Sequence, residues 1–255
     1  MENHLEHEKR EARKLAFFLP NTFTALNMAC GFISTLFSFQ GEFHTACMIL
    51  ILGAIFDSVD GRVARLTGTQ SAFGEQFDSL SDAVSFGFAP AILMYQRFLT
   101  PLGRAGVIIS FIFLLCGALR LARFNANIDR VTSQYFQGLP IPGGALAMVG
   151  YVLLSIEFNW MNQLTVTTAI YVLFFALLMI SNIPFYSFKN ATWAKEHKKA
   201  VLFFIFVILA LMFVYEQLMV PFIMWTYVAG CLVYFFTHKG ELKNVFEWNN
   251  EKDAD

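Results

Sequence analysis

Four aspartates within one short segment are the residues of this chain best suited to chemistry. The segment 57–82 reads DSVDGRVARLTGTQSAFGEQFDSLSD, and the four residues are Asp57, Asp60, Asp78 and Asp82. Spacings of three and four residues place each pair on one face of a helix. Carboxylate oxygens bind hard divalent cations, and two such cations can stabilise the attacking and leaving oxygens of a displacement at phosphorus. The segment therefore predicts a two-metal site suited to moving a phosphoryl-type group onto an alcohol.

A turn signal, Thr67-Gly68-Thr69, separates the two aspartate pairs. Folding the chain at this turn brings Asp57 level with Asp82 and Asp60 level with Asp78. With a helical rise of about 1.5 Å per residue, the carboxylates lie roughly 12–18 Å from the turn. In a membrane protein this depth is near the boundary between headgroups and hydrocarbon.

Composition places these carboxylates in a membrane protein. Of 255 residues, 56% are apolar and only 15% are charged, whereas a soluble domain carries about a quarter charged residues. An aspartate at the centre of a membrane helix costs about 2.5–3.5 kcal/mol, and mutual repulsion adds to this unless the charges are neutralised. Arg62 and Arg65 are the only basic residues close to the aspartates in sequence, so bound cations are expected to neutralise the remaining negative charge. A net charge of −1 gives no indication of nucleic-acid binding.

The elements that must position the aspartates are apolar stretches long enough to cross a bilayer. We expect an all-α, polytopic bundle of about eight spans. The spans are predicted near 15–41, 43–66, 74–97, 102–123, from Pro142 to about 158, 163–185, 200–216 and 218–237. The predicted organisation is a segment 1–14, a transmembrane catalytic domain 15–238 with its catalytic hairpin at 43–97, and a tail 239–255.

The positive-inside rule predicts the orientation of this bundle. With both termini in the cytoplasm, only Arg97 and Arg104 of the 18 lysines and arginines lie outside. The first fourteen residues contain no small-residue cleavage site, so no removable signal peptide is expected. The aspartates then face the cytoplasm from the cell (inner) membrane.

Small residues flank the first aspartate pair. Gly61 and Ala64 form, with Asp60, a strip with little side-chain bulk, where a ligand could approach the backbone closely. Tight packing between helices is the alternative explanation for such residues.

The whole segment resembles the signature of the CDP-alcohol phosphotransferase family. That signature is D-x-x-D-G-x-x-A-R, eight residues, then G-x-x-x-D-x-x-x-D. It is matched without departure at Asp57, Asp60, Gly61, Ala64, Arg65, Gly74, Asp78 and Asp82. The resemblance implies a membrane enzyme, typically a homodimer, that needs Mg²⁺ or Mn²⁺ and joins a CDP-linked lipid to an alcohol with release of CMP.

The resemblance also implies roles for individual residues. Asp57, Asp60 and Asp78 would hold the metal ions, and Asp82 would contact a metal and act as general base. The residues expected to bind the CDP-lipid are Gly61, Ala64, Arg65, Ser71 and Gly74, together with Thr24 and Asn27 of a polar patch on the first span. For Thr24 and Asn27, hydrogen bonding between helices remains the alternative.

The acceptor alcohol is suggested by similarity to one branch of the family, the membrane-embedded phosphatidylserine synthases. The similar stretches are LPNTFTALNMACGF (19–32), FDSLSDAVSFGFAPA (77–91) and GALRLARFN (117–125), with Gly-Leu-Pro at 138–140. They imply CDP-diacylglycerol and L-serine as substrates. Arg120 and Arg123 could bind a carboxylate through their planar guanidinium groups, although positive-inside anchoring explains both equally well.

Other readings of the same residues stay open at this point. Glycerol 3-phosphate or an inositol phosphate would use the same arginines, and an archaeal enzyme acting on ether lipids would have much the same sequence. A cation transporter would also place carboxylates in a membrane. Transporter sites tend to lie at the midplane within repeats, and this chain has no repeat and an expected site near one face.

Overall fold

The computed structural model of the chain describes residues 2–127, 135–186, 206–207, 210–211 and 214–238, with side chains from residue 18 onwards. Most of the predicted span 200–216 and all of the tail 239–255 lie outside these residues. The helices are α1 (Glu2–Gln40), α2 (Phe43–Thr67), α3 (Ala72–Asp82), α4 (Ala89–Met94), α5 (Arg104–Ala126), α6 (Ile141–Glu157), α7 (Thr165–Ile180) and α8 (Glu216–Thr237).

Within the described residues, three helical segments are long and apolar enough to cross a membrane. They are Phe18–Gln40, Arg104–Ala126 and Glu216–Thr237, of 22 or 23 residues each. Helices α6 and α7 are apolar but have only 17 and 16 residues. The prediction of a helical membrane protein is confirmed, whereas eight spans and cytoplasmic termini remain predictions.

The connection between α2 and α3 has the turn that the sequence predicts. Helix α2 ends at Thr67, and Gly68 follows with a φ of +64°, a left-handed conformation that glycine adopts without strain. The amide of Thr69 still bonds to the carbonyl of Ala64 at 3.1 Å. Ser71 then starts α3 as its N-cap, because its hydroxyl accepts a bond from the amide of Gly74 at 3.1 Å.

The helix that carries the second aspartate pair continues well beyond α3. A π-helical turn, Ala83–Phe88, follows Asp82 directly and leads into α4. A second π-helical turn, Tyr95–Leu99, and a short 3₁₀ turn, Thr100–Leu102, complete this continuous helical segment. Such π turns occur often at functional sites, and the turn Ala83–Phe88 begins immediately after Asp82, the expected general base.

Helix α1 lies between the two halves of the aspartate hairpin and packs on both. Ser34 donates a bond to the carbonyl of Ala46 on α2 at 2.9 Å. On the other side, Ser81 and Ser85 donate to the carbonyls of Thr24 and Asn27 at 2.9 and 2.8 Å. Polar bonds between helices are a common means of association in membranes. Helix α1 is therefore the support that sets the spacing of α2 and α3.

One feature departs from the all-α expectation. Strands β1 (Tyr135–Gln137) and β2 (Pro184–Tyr186) form a short antiparallel ribbon, with Phe136 opposite Phe185. The ribbon joins the segment before α6 to the segment after α7. Helix α6 is largely buried and packs against α2, α7 and α8.

Candidate active site

The four aspartates converge between α2 and α3. Carboxylate oxygens of Asp57, Asp60 and Asp78 all lie within 4.8 Å of one another. Asp82 is within hydrogen-bonding range of Asp57, as the predicted pairing across the turn requires. Asp60 and Asp82 are only 5% and 8% exposed. The predicted constellation is therefore confirmed as a geometric cluster.

Few protein groups compensate the charge of this cluster. Thr24 donates a hydrogen bond to Asp60 Oδ2 at 2.9 Å, and the Gly61 amide also bonds to Asp60. In the described part of the chain no basic side chain forms an ion pair with any of the four aspartates. Oxygen Oδ1 of Asp78 and of Asp82 is buried without a hydrogen-bond partner. Buried carboxylate oxygens without donors fit divalent cations, which prefer oxygen ligands.

A polar cleft of about 210 Å³ adjoins the cluster. Its walls come from α1, the end of α2, the turn and the start of α3. The signature residues that line it are Asp60, Gly61, Ala64, Arg65, Gly74 and Asp78. Because Gly61 and Ala64 are small, the backbone of α2 is open to a ligand along this wall, as the sequence suggests.

The turn end of the cleft offers hydrogen-bonding and basic groups. Arg65 is exposed on the last turn of α2 and lines the cleft. Ser71 also lines it, and a side chain at Gly74 would meet the Ser71 hydroxyl at 3.3 Å and Asn21 Oδ1 at 3.5 Å. Glycine at position 74 therefore keeps the cleft open between α1 and α3.

The two predicted polar residues of α1 have different environments. Thr24 lines the cleft and bonds to Asp60. Asn27 is fully buried one turn further along, and a side chain at Gly53 of α2 would meet its Oδ1 at 3.1 Å. Both polar atoms of the Asn27 amide lack a hydrogen-bond partner, and Asn27 is not part of the cleft wall.

Arg120 and Arg123 of α5 also differ. Arg120 is 7% exposed, lies over the ring of Phe124 at 5.4 Å and is close enough to Asp82 for their charges to interact. Its Nε has no hydrogen-bond partner. The guanidinium group of Arg123 instead donates to backbone carbonyls, including Ile180 at 2.9 Å. The structure therefore places Arg120, and not Arg123, beside the aspartates.

Several residues near the cleft were not among the predicted site residues. Thr69, Gln70 and Glu75 line the cleft because the turn folds over it. Asn125 of α5 donates a 2.8 Å bond to the hydroxyl of Ser79 on α3. This bond joins the C-terminal end of α5 to the helix that carries Asp78 and Asp82, a contact that only the tertiary structure reveals.

Comparisons with known proteins agree with this geometry. Residues 17–175 match a family profile described as CDP-alcohol phosphatidyltransferase. The chain is 38% identical over 178 residues to a CDP-diacylglycerol–serine O-phosphatidyltransferase of Helicobacter pylori, covering 69% of this chain and 75% of the relative.

Two further relatives are each similar over 66% of this chain. A CDP-diacylglycerol–serine O-phosphatidyltransferase of Methanocaldococcus jannaschii is 42% identical over 167 residues, which is 66% of this chain and 73% of the relative. An archaetidylserine synthase of Methanothermobacter thermautotrophicus is 36% identical over 169 residues, which is 66% of this chain and 69% of the relative. The matched part holds all four aspartates, the cleft and both α5 arginines, and the chain belongs to the CDP-alcohol phosphatidyltransferase family of membrane transferases.

Proposed function

We propose that the chain transfers the phosphatidyl group of CDP-diacylglycerol to the hydroxyl of L-serine, giving phosphatidylserine and CMP. The observation that carries this proposal is the cluster of four aspartates beside the polar cleft. Its carboxylates have almost no donors of their own, so the site suits a metal-bound diphosphate. The relatives from Helicobacter pylori and Methanocaldococcus jannaschii, both CDP-diacylglycerol–serine O-phosphatidyltransferases, support serine as the acceptor.

The donor is held in the cleft in this proposal. Asp57, Asp60 and Asp78 would hold Mg²⁺ or Mn²⁺, with two ions expected, and Asp82 would complete the set. Bound cations would supply positive charge opposite the diphosphate and the departing CMP. The remaining CDP contacts would come from the small-residue wall of α2 and from the turn, namely Gly61, Ala64, Arg65, Ser71 and Gly74, with Thr24 on α1. Asn27 would support the site indirectly, because it lies between α1 and α2 and outside the cleft wall.

The general base in this proposal is Asp82. Its Oδ1 is buried without a donor, so one oxygen of this carboxylate is free to accept a proton. The acceptor hydroxyl gives its proton to Asp82 as its oxygen attacks the lipid-linked phosphorus. The new O–P bond forms as the bond from that phosphorus to the bridging oxygen of CMP breaks, and the electron pair leaves with CMP.

Arg120 is the group best placed for the carboxylate of serine. It is buried, its Nε is unpartnered, and it lies near Asp82. An arginine can bind a carboxylate with two parallel hydrogen bonds. These bonds between Arg120 and the serine carboxylate would hold the serine hydroxyl near Asp82. The alternative acceptors, glycerol 3-phosphate and inositol phosphate, are also anionic and would meet the same arginine.

An ether-lipid donor is the second candidate. The relative from Methanothermobacter thermautotrophicus is named an archaetidylserine synthase. The cleft residues described above would contact the CDP part of a donor, which the two lipid types share. The same site could therefore serve either donor without any change in the chemistry.

The proposed setting is a multi-pass protein of the cell (inner) membrane with eight spans and both termini in the cytoplasm. The bias of lysines and arginines supports this orientation. It places the cleft at the cytoplasmic face, where cytidine is soluble while the acyl chains remain in lipid. A homodimer is proposed on the family resemblance alone.

A labelled-acceptor assay tests the proposed function. Purified protein is mixed with CDP-diacylglycerol, Mg²⁺ or Mn²⁺, and one labelled acceptor at a time: L-serine, glycerol 3-phosphate or an inositol phosphate. We expect chloroform-soluble label from serine, matched by an equal amount of CMP. Repeating the serine reaction with a CDP-linked ether lipid tests the second candidate donor.

The same assay can overturn the serine assignment. Chloroform-soluble label from glycerol 3-phosphate or inositol phosphate, with none from serine, would show the family chemistry with another acceptor. Absence of CMP release with every acceptor would contradict the proposal that this site catalyses the transfer reaction.

A further inference from the structure

Arg123 lies one helical turn after Arg120 on α5, but both terminal nitrogens of its guanidinium group donate hydrogen bonds within the protein. Its five acceptors, at 2.9–3.3 Å, are the carbonyl oxygens of Gln137, Met179, Ile180 and Ser181 and the Oδ1 of Asn182. These acceptors leave the group little capacity for an external ligand. Arg123 therefore needs a different explanation from Arg120.

Arg123 caps the end of α7. The last carbonyls of a helix have no partner within the helix, and here those of Met179 and Ile180 accept bonds from Arg123. A positive charge at this position also complements the negative end of the helix dipole. Arg123 thus joins the ends of α5 and α7.

The same guanidinium group also holds the segment 135–139. It bonds to the Gln137 carbonyl at 3.0 Å, and the Leu139 amide bonds to the carbonyl of Leu178 at 3.0 Å. Gly138 between them has a φ of +76°, and a Cβ there would lie 2.3 Å from the carbonyl oxygen of Met179. The segment therefore passes the end of α7 at a distance that only glycine permits.

This segment lies beside Arg120. Phe136 and Gln137 line, together with Arg120, Arg123, Phe124 and Asn127, a crevice of only about 10 Å³. A space of this size holds one water molecule at most. Phe136 and Gln137 therefore lie close to the Arg120 side chain, and a shift of the segment would leave Arg120 room to move.

We infer that Arg123 is a positioning residue for the acceptor. It holds segment 135–139 and the end of α7 against α5, and this support keeps Arg120 beside Asp82. The inference rests on the proposed function, in which Arg120 binds the acceptor carboxylate. Arg123 itself does not touch the acceptor.

Two unrelated changes should disturb this support in the same way. Arg123→Ala removes the bonds to segment 135–139. Gly138→Ala keeps the arginine but places a Cβ 2.3 Å from the Met179 carbonyl oxygen and 3.1 Å from Arg123 Nη2, which forces the segment away from α7. In both variants we expect the KM for serine to rise about tenfold or more, because a binding group displaced by ~1 Å loses much of its effect. The kcat should stay within about threefold, and the KM for CDP-diacylglycerol should not change.

Two further variants complete the experiment. Arg123→Lys keeps the charge and some of the donors, so its KM for serine should lie between those of wild type and Arg123→Ala. The control is Arg97→Ala, because Arg97 is another half-buried arginine that bonds to Ser155 on α6 instead. It should lower the melting temperature without changing the KM for serine.

An unchanged KM for serine in folded Arg123→Ala or Gly138→Ala protein, with only a lower melting temperature, would overturn the inference and leave Arg123 as a helix cap. Should Arg123→Ala not fold, Gly138→Ala and Arg123→Lys decide the question by the same criterion. Failure of the proposed function would be visible in the wild type, which would then not use serine. Failure of the inference would be visible only in the variants.

Discussion

At the scale of single residues, the site combines carboxylates that are close in sequence with partners that lie far from them along the chain. The spacing of Asp57, Asp60, Asp78 and Asp82 and the glycine turn between them are local features, so sequence reasoning brings the four together. The bond from Thr24 to Asp60 joins residues 36 positions apart. Four of the five acceptors of Arg123 are backbone carbonyls, in β1 and at or just after the end of α7, and backbone carbonyls have no signature in a sequence.

The Thr24 hydroxyl supports the expected metal site through Asp60. Thr24→Ala removes the 2.9 Å bond to Asp60 Oδ2. Loss of a group that orients a metal ligand typically costs about 10–100-fold in metal affinity or activity. We expect the Mn²⁺ concentration for half-maximal activity to rise by about tenfold, measured by metal titration of the chelator-treated enzyme.

Thr35→Ala is the matched control for Thr24→Ala. Thr35 is also buried on α1, and its hydroxyl bonds only to the carbonyl of Gly31 in its own helix at 2.9 Å. Its metal titration should follow that of the wild type. Equal shifts in the two variants would mean that the Thr24 effect comes from α1 in general and not from Asp60.

At the scale of elements, the long apolar helices and the α2–α3 turn follow from the sequence, and two shorter elements do not. Strands of three residues are too short for an alternating pattern to identify them, so the β1–β2 ribbon was not predicted. The π-helical turn Ala83–Phe88 is largely apolar, like α4 directly after it, so composition does not separate the two. The position of α1 between α2 and α3 depends on contacts between side chains, which hydropathy does not specify.

The contact between α1 and the π-helical turn depends on Gly31. A Cβ at this position would lie 2.6 Å from the Cα of Ser85, a backbone atom that cannot move by itself. Overpacking of this kind typically costs about 1–3 kcal/mol. We expect Gly31→Ala to lower both the melting temperature and the activity, because α1 must move away from the helix that carries Asp82.

A glycine on α8 is the control for Gly31. Among the residues that the structure describes, none comes within 4 Å of a Cβ built at Gly230, so Gly230→Ala should leave the melting temperature unchanged or raise it slightly. A Gly31→Ala protein as stable and active as the Gly230→Ala protein would show that α1 and the π-helical turn are not packed as described.

At the scale of the whole molecule, the sequence indicates a helical membrane protein more clearly than it indicates the number of spans. Low charge and many large apolar residues indicate a membrane protein, and large side chains such as Phe111, Leu119 and Phe222 are indeed exposed on the helices. Three described helices meet the length and hydropathy needed to cross a bilayer. The short α6 and α7 show why hydropathy alone does not determine the number of spans, since helix ends and ribbons depend on tertiary contacts.

The central claim is that the aspartate cluster carries out the transfer and that Asp82 is its base. The most direct measurement is CMP release by purified Asp82→Asn protein, together with its affinity for CDP-diacylglycerol. Asparagine has nearly the same shape but cannot accept the proton, so we predict a fall in turnover of about 10²–10⁴-fold with donor affinity largely kept. CMP release at nearly the wild-type rate would contradict the claim.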